Sequence, residues 1–200
     1  MNRPTPDSTA SLAPGPLVLA GLIVLAALTR LLPHPPNFSP VEAIALFGGA
    51  HFASRRLALL VPLAGMLASD LVLALVNSAS YLDYLTSTAY LPSLAAVYAC
   101  VVLSTLLGFG LRGRVNGARV LGYSLAGSVL FFVVSNFATW LTAFAVPGYP
   151  ACNAGLLPCY VAALPFFQWT VFGTLVYSAV LFGGFALLRR RLPALRPQTV

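Results

Sequence analysis

Leu32-Pro33-His34-Pro35-Pro36-Asn37-Phe38-Ser39-Pro40-Val41-Glu42-Ala43-Ile44-Ala45-Leu46-Phe47-Gly48-Gly49-Ala50 joins two apolar stretches of the chain. Proline fixes the backbone and removes a hydrogen-bond donor, so residues 33–40 break any helix that precedes them. His34, between two prolines, is held in a loop. Ser39-Pro40-Val41-Glu42 fits a helix start, with serine as cap, proline at the first turn and glutamate closing a capping box. A second helix is therefore expected over 40–53, and Glu42 is assigned to its cap. The residues on either side decide what kind of fold holds this loop.

Of the 200 residues, 59% are hydrophobic and 8% charged. A soluble domain of this length needs far more charge on its surface. The apolar residues fall in long runs such as 17–28 and 120–132, which read as membrane helices. Alternating segments of a β-barrel are not seen. The expected fold class is an all-α membrane protein, a six-transmembrane-helix bundle. Its helices are expected over 16–32, 40–53, 57–76, 91–111, 119–145 and 161–188. The second falls short of the ~20 residues a span requires, so it must be tilted, partly shielded by protein, or shorter than the membrane is thick. Residues 1–15 read as a disordered lead, 16–192 as one transmembrane domain and 193–200 as a cytoplasmic tail.

The net charge is +7, and every basic side chain is an arginine. Arg55 and Arg56 lie between helices 2 and 3; Arg112, Arg114 and Arg119 between 4 and 5; Arg189, Arg190, Arg191 and Arg196 after 6. The alternate loops hold none. The positive-inside rule then places both termini in the cytoplasm and loops 1–2, 3–4 and 5–6 outside. Basic residues at membrane boundaries point to the lipid bilayer as partner and not to nucleic acid.

The outward loops gather the polar residues. Asp70 lies about thirteen residues into helix 3, or ~20 Å from its start. A carboxylate at that depth is costly and calls for a partner, either Arg30 or His34. It is either a ligand contact or a structural ion pair. Tyr81, Tyr84 and Tyr90 flank loop 3–4, where they form an interfacial belt or stack on a planar ligand. Asn136 and Gln168 are helix-bridging amides or cavity groups. Cys159, at the start of helix 6, is the best candidate for a reactive thiol; it can instead pair with Cys152. Four small-xxx-small pairs permit close helix packing: Ala45/Gly49, Ala64/Ala68, Gly122/Ala126 and Ala179/Gly183. No hydrolase or phosphate-binding motif is present, so an enzyme has little to build on and no intrinsic cofactor is expected.

The segment from Pro33 to Ala50, with Ser69-Asp70 and Cys159-Tyr160-Val161-Ala162-Ala163-Leu164-Pro165-Phe166-Phe167, resembles a family of uncharacterised bacterial six-helix membrane proteins. That family in turn resembles the S components of energy-coupling-factor vitamin transporters. The resemblance implies vitamin capture in an outward cavity. S components that use the shared coupling module carry an alanine-xxx-alanine face on helix 1. Helix 1 here has none, which suits a solitary carrier. Solitary S components are similar to cobalamin transporters, so cobalamin is the first-choice ligand the resemblance implies. In those proteins a cysteine near the outer end of helix 3 ligates cobalt. Ser78 and Ser80 occupy that stretch here, with Ser80 at the cobalt-facing position. The expected contacts are His34, Asn37, Asp70, Ser80, Tyr81, Tyr84, Cys159 and Gln168. The alternative is an accessory or assembly protein that binds a partner through the same loops.

Overall fold

The computed structural model describes residues 14–76, 81–82, 85–144, 149–192 and 195. Most of the expected lead and tail, and Ser80 and Tyr84, lie outside the described residues. The helices are α1 (Pro14–Leu28), α2 (Val41–His51), α3 (Arg55–Val76), α4 (Leu91–Gly108), α5 (Gly117–Thr142), α6 (Pro150–Asn153), α7 (Leu156–Ser178) and α8 (Gly184–Arg191). α7 runs into α8 through a π-helical stretch, Ala179–Gly183, giving one continuous rod from Leu156 to Arg191. Four helical stretches are long and apolar enough to cross a membrane: Arg55–Val76, Leu91–Leu111, Gly117–Thr142 and Leu156–Arg191. Two apolar stretches are shorter, Gly15–Leu31 and Val41–His51. Outward-facing Leu25, Leu75, Phe144, Leu157 and Val180 give the bundle an apolar exterior suited to lipid.

Some boundaries differ from expectation. α1 begins at Pro14, two residues inside the segment read as lead. The last rod begins at Leu156 and not at 161, because Gly155 adopts φ 135° and lets the chain turn out of α6 straight into it. α6 itself was not anticipated. Helix 2 is two residues shorter at its C-terminal end than expected.

α2 is the axis of the fold. All of its residues from Val41 to His51 are buried, as expected for a helix apolar all round. It packs against α1, α3, α4, α5 and α7. Two adjacent glycines make this possible. A Cβ on Gly48 would meet Pro62 Cγ of α3 at 2.7 Å. One on Gly49 would collide with the Thr105 carbonyl oxygen of α4, and one on Gly108 would meet the Leu46 carbonyl oxygen at 2.5 Å. Of the small-residue pairs noted in the sequence, Ala45/Gly49 sits at this contact. Gly122 and Gly183 have nothing within 4 Å of a Cβ position.

The C-terminal end of α2 is tied down by Arg112. Its Nε donates to the Gly49 carbonyl at 2.9 Å and its Nη2 to the Phe52 carbonyl at 2.8 Å. These satisfy acceptors that a helix end leaves open. The guanidinium also stacks over Phe109, 4.2 Å from the ring centroid. Arg112→Ala should cost about 2 kcal/mol, and Arg112→Lys should recover only part of it, because an ammonium cannot make the forked contact. Thermal unfolding in detergent measures both.

Candidate functional site

The site is built at the end of the bundle opposite Arg55, Arg112, Arg114 and Arg119. Residues 32–40 cross this end between α1 and α2. Asn37 takes φ 67°, a left-handed conformation that asparagine tolerates. The turn swings Phe38 inward against Phe172 and Tyr177 of α7, with ring centroids 6.1 and 5.7 Å apart. Gly173 admits this loop: a Cβ there would meet the Ser39 backbone nitrogen at 2.9 Å. Thr29 donates to the Tyr177 hydroxyl at 2.7 Å and so fixes the end of α1 on the same helix.

Asp70 is buried on α3 and its partner is Arg30, at 2.6 Å. The same Arg30 nitrogen donates to Ser69 Oγ at 2.5 Å. Tyr81 donates to Asp70 Oδ1 at 2.9 Å, and Tyr98 of α4 donates to Oδ2 at 2.6 Å. Arg30 Nη2 reaches the Tyr81 hydroxyl at 3.3 Å. Both carboxylate oxygens are thus occupied, and the charge is neutralised by one guanidinium. Burial pushes the Tyr81 hydroxyl up to about 12; Arg30 opposes the rise and the Asp70 carboxylate adds to it. At neutral pH Tyr81 is therefore a neutral donor. Tyr98→Phe, which leaves one charged oxygen without its donor, should cost about 1.5–3 kcal/mol in thermal unfolding.

Two cavities adjoin this cluster. The smaller, about 380 Å³, is walled by Arg30, Asp70, Tyr81, Glu42, Val97 and Phe131, with His34 and Asn37 at its rim. The larger, about 590 Å³, lies under Tyr90, Tyr149 and Asn136, with Cys152 and Cys159 in its wall. Asn37, Val97 and Phe131 line both. His34 and Asn37 are exposed, so the cavities reach the surface there.

The structure brings His34, Asn37, Asp70 and Tyr81 to the smaller cavity and Cys159 to the larger. Gln168 lies elsewhere. It is exposed and donates to the Pro165 carbonyl of its own helix at 2.9 Å. Asn136 lines the larger cavity while donating to the Phe132 carbonyl at 2.8 Å. Cys159 is joined to Cys152 in a disulfide, so it carries no thiol in this state. The bridge packs with Ala143 and Trp140 and ties α6 to α7.

Glu42 requires a correction. The capping box is not formed: Pro40 is the cap residue, and Ser39 Oγ accepts only a long bond of 3.4 Å from the Val41 nitrogen. The glutamate does not reach back to the cap. It is 2% exposed and lines the smaller cavity. Its Oε1 has no hydrogen-bond partner among the described residues. The Thr174 hydroxyl and its own backbone N–H lie beside the carboxyl group. Tyr98, like Glu42, was missed as a site residue.

No curated protein and no solved structure matches the chain. Residues 10–195 match the group described as "Family of unknown function (DUF6580)". That match covers nearly the whole chain, its apolar helices and both cavities, so the protein belongs to this family of unknown function.

Proposed function

We propose that this protein is a solitary carrier of the bacterial inner membrane, a bundle of six membrane segments with both termini in the cytoplasm. It takes a small organic molecule, of the vitamin class, from the outer side. The reading rests chiefly on one observation: two adjoining cavities and a satisfied Arg30–Asp70–Tyr81–Tyr98 cluster lie together at the end of the bundle away from the loop arginines. Concave sites with apolar walls and a few convergent polar groups are the usual form of small-molecule sites.

The orientation is supported by two independent features. Arginines mark the cytoplasmic end of membrane segments, and here they flank α3, α4, α5 and α8 at one end. The Cys152–Cys159 bridge lies at the other end, and such bridges persist in oxidising compartments outside the cytoplasm. The two short apolar stretches, α1 and α2, supply the remaining segments, α2 being shielded from lipid by its neighbours.

Cobalamin is the first substrate to test, through the resemblance to solitary S components. It is larger than either cavity, so it would have to span both across Asn37, Val97 and Phe131. Cells expressing the protein should take up cobalamin, and protein purified from cobalamin-supplemented cultures should carry the vitamin's visible absorbance. A colourless protein together with no uptake excludes cobalamin.

A further inference from the structure

Glu42 and Ser104 are buried, and each has a side-chain oxygen without a hydrogen-bond partner among the described residues. They come from different helices, α2 and α4, and both lie near Gly127 of α5. A Cβ on Gly127 would lie 3.5 Å from Leu46 Cδ1, 3.8 Å from Glu42 Cβ and 3.9 Å from Ser104 Oγ. The Thr174 hydroxyl approaches the Glu42 carboxyl from α7. Two orphaned polar groups on facing helices are unusual, because each unsatisfied group costs free energy.

The charges facing Glu42 do not compensate it. Arg30, across the cavity, is engaged by Asp70 and Ser69. The titratable neighbours from the other elements are Asp70 on α3, Tyr81 beyond it, Tyr98 and the Cys100 thiol on α4, none of them basic, and His34, which stands at the exposed rim with its Nδ1 3.0 Å from the Pro35 carbonyl oxygen. With Arg30 and Asp70 cancelling, the Glu42 carboxyl is the uncompensated acidic group of a cavity about 380 Å³ in volume. Leu73, Leu94, Val97, Phe131 and Met66 make the rest of the wall largely apolar. An unpaired carboxylate in such surroundings is strongly disfavoured, whereas a carboxylate matched by a cation is not.

From this geometry we infer that Glu42 is the recognition group for an organic cation, an ammonium or protonated ring nitrogen carried on a small aromatic or aliphatic body. The nitrogen seats on the Glu42 carboxyl group, and the body packs against Phe131 and Val97. The cavity is far larger than a bare metal ion, and no cluster of three His, Cys, Asp or Glu side chains able to hold one occurs among the described residues. The inference rests on the cavity being a ligand site, as proposed above, and adds the charge of the ligand.

The test uses three probes of one shape: benzylammonium, benzyl alcohol and benzoate, each titrated into the detergent-solubilised full chain by calorimetry and thermal shift. Wild type should bind benzylammonium at least tenfold more tightly than benzyl alcohol. Glu42→Gln should weaken benzylammonium at least tenfold while leaving benzyl alcohol unchanged, the latter showing that the cavity is intact. Equal affinities for the ammonium and the alcohol in wild type overturn the inference even if the variant does not fold. So does an equal benzylammonium affinity in wild type and Glu42→Gln, or a sodium chloride titration that reproduces the signal. Binding of benzyl alcohol or benzoate without benzylammonium overturns the cation claim and leaves the cavity as a ligand site. Loss of vitamin uptake alone bears on carriage and not on Glu42.

Discussion

Asp70→Ala should lower stability by about 3–5 kcal/mol, because it leaves the Arg30 guanidinium without its carboxylate in a poorly solvated site. Asp70 is 2% exposed and the Arg30 side chain 16% exposed. Two phenols, Tyr81 and Tyr98, lose their acceptor at the same time. For a chain of this length the loss corresponds to ~6–20 °C in melting temperature. Asp70→Asn keeps the shape and should cost less, since the amide oxygen still accepts one phenol. The double variant Arg30→Met, Asp70→Leu should be markedly more stable than Asp70→Ala, because neither charge is then stranded. Thermal unfolding of wild type, Arg30→Met, Asp70→Leu and the double variant in one detergent gives the coupling energy directly. A single variant within about 0.5 kcal/mol of wild type would show that the ion pair is not buried as described.

Gly49→Val should have an effect of similar size from a different cause. Gly49 lies where α2 crosses α4, against the carbonyl of Thr105 and the backbone of Gly108. Backbone cannot step aside as a flexible side chain can. Forcing the helices apart costs about 3 kcal/mol, the upper part of the usual range for overpacking. The displacement would also move Glu42 and open the wall of the smaller cavity. Gly122→Ala supplies the contrast: its Cβ meets nothing within 4 Å, so it should be neutral or gain up to ~1 kcal/mol from helix propensity. Equal melting temperatures for Gly49→Val and Gly122→Ala would contradict the crossing.

Much of this was legible in the chain itself. Asp70 is conspicuous because an acid inside a 22-residue apolar helix has to be explained, and Arg30 was one of its two natural partners. The loop arginines separate the two ends of the bundle without any coordinates. Tyr98 was not legible. Tyrosines are common in membrane segments, and nothing in a helical run says which one a neighbouring helix will turn toward a carboxylate. Glu42 was misread for a definite reason. Ser39-x-x-Glu42 satisfies a local capping pattern, but the pattern ignores what packs on the loop. Ser39 is pressed against Gly173 of α7, the cap moves to Pro40, and Glu42 is buried in the wall of the smaller cavity. Cys159 raised a similar difficulty: sequence spacing leaves both a thiol and a bridge open, and only the fold brings Cys152 to it. Ser80 and Tyr84 lie outside the described residues.

On the proposed topology the cavities open on the outer side of the membrane. Exposed His34 sits at the rim of the smaller cavity, and exposed Arg114 lies in the α4–α5 connection at the opposite end. His34→Cys and Arg114→Cys, each treated with a membrane-impermeant maleimide in intact spheroplasts, give the most direct measurement. His34→Cys should be labelled in intact spheroplasts, and Arg114→Cys only after the membrane is permeabilised. The reverse pattern would contradict it.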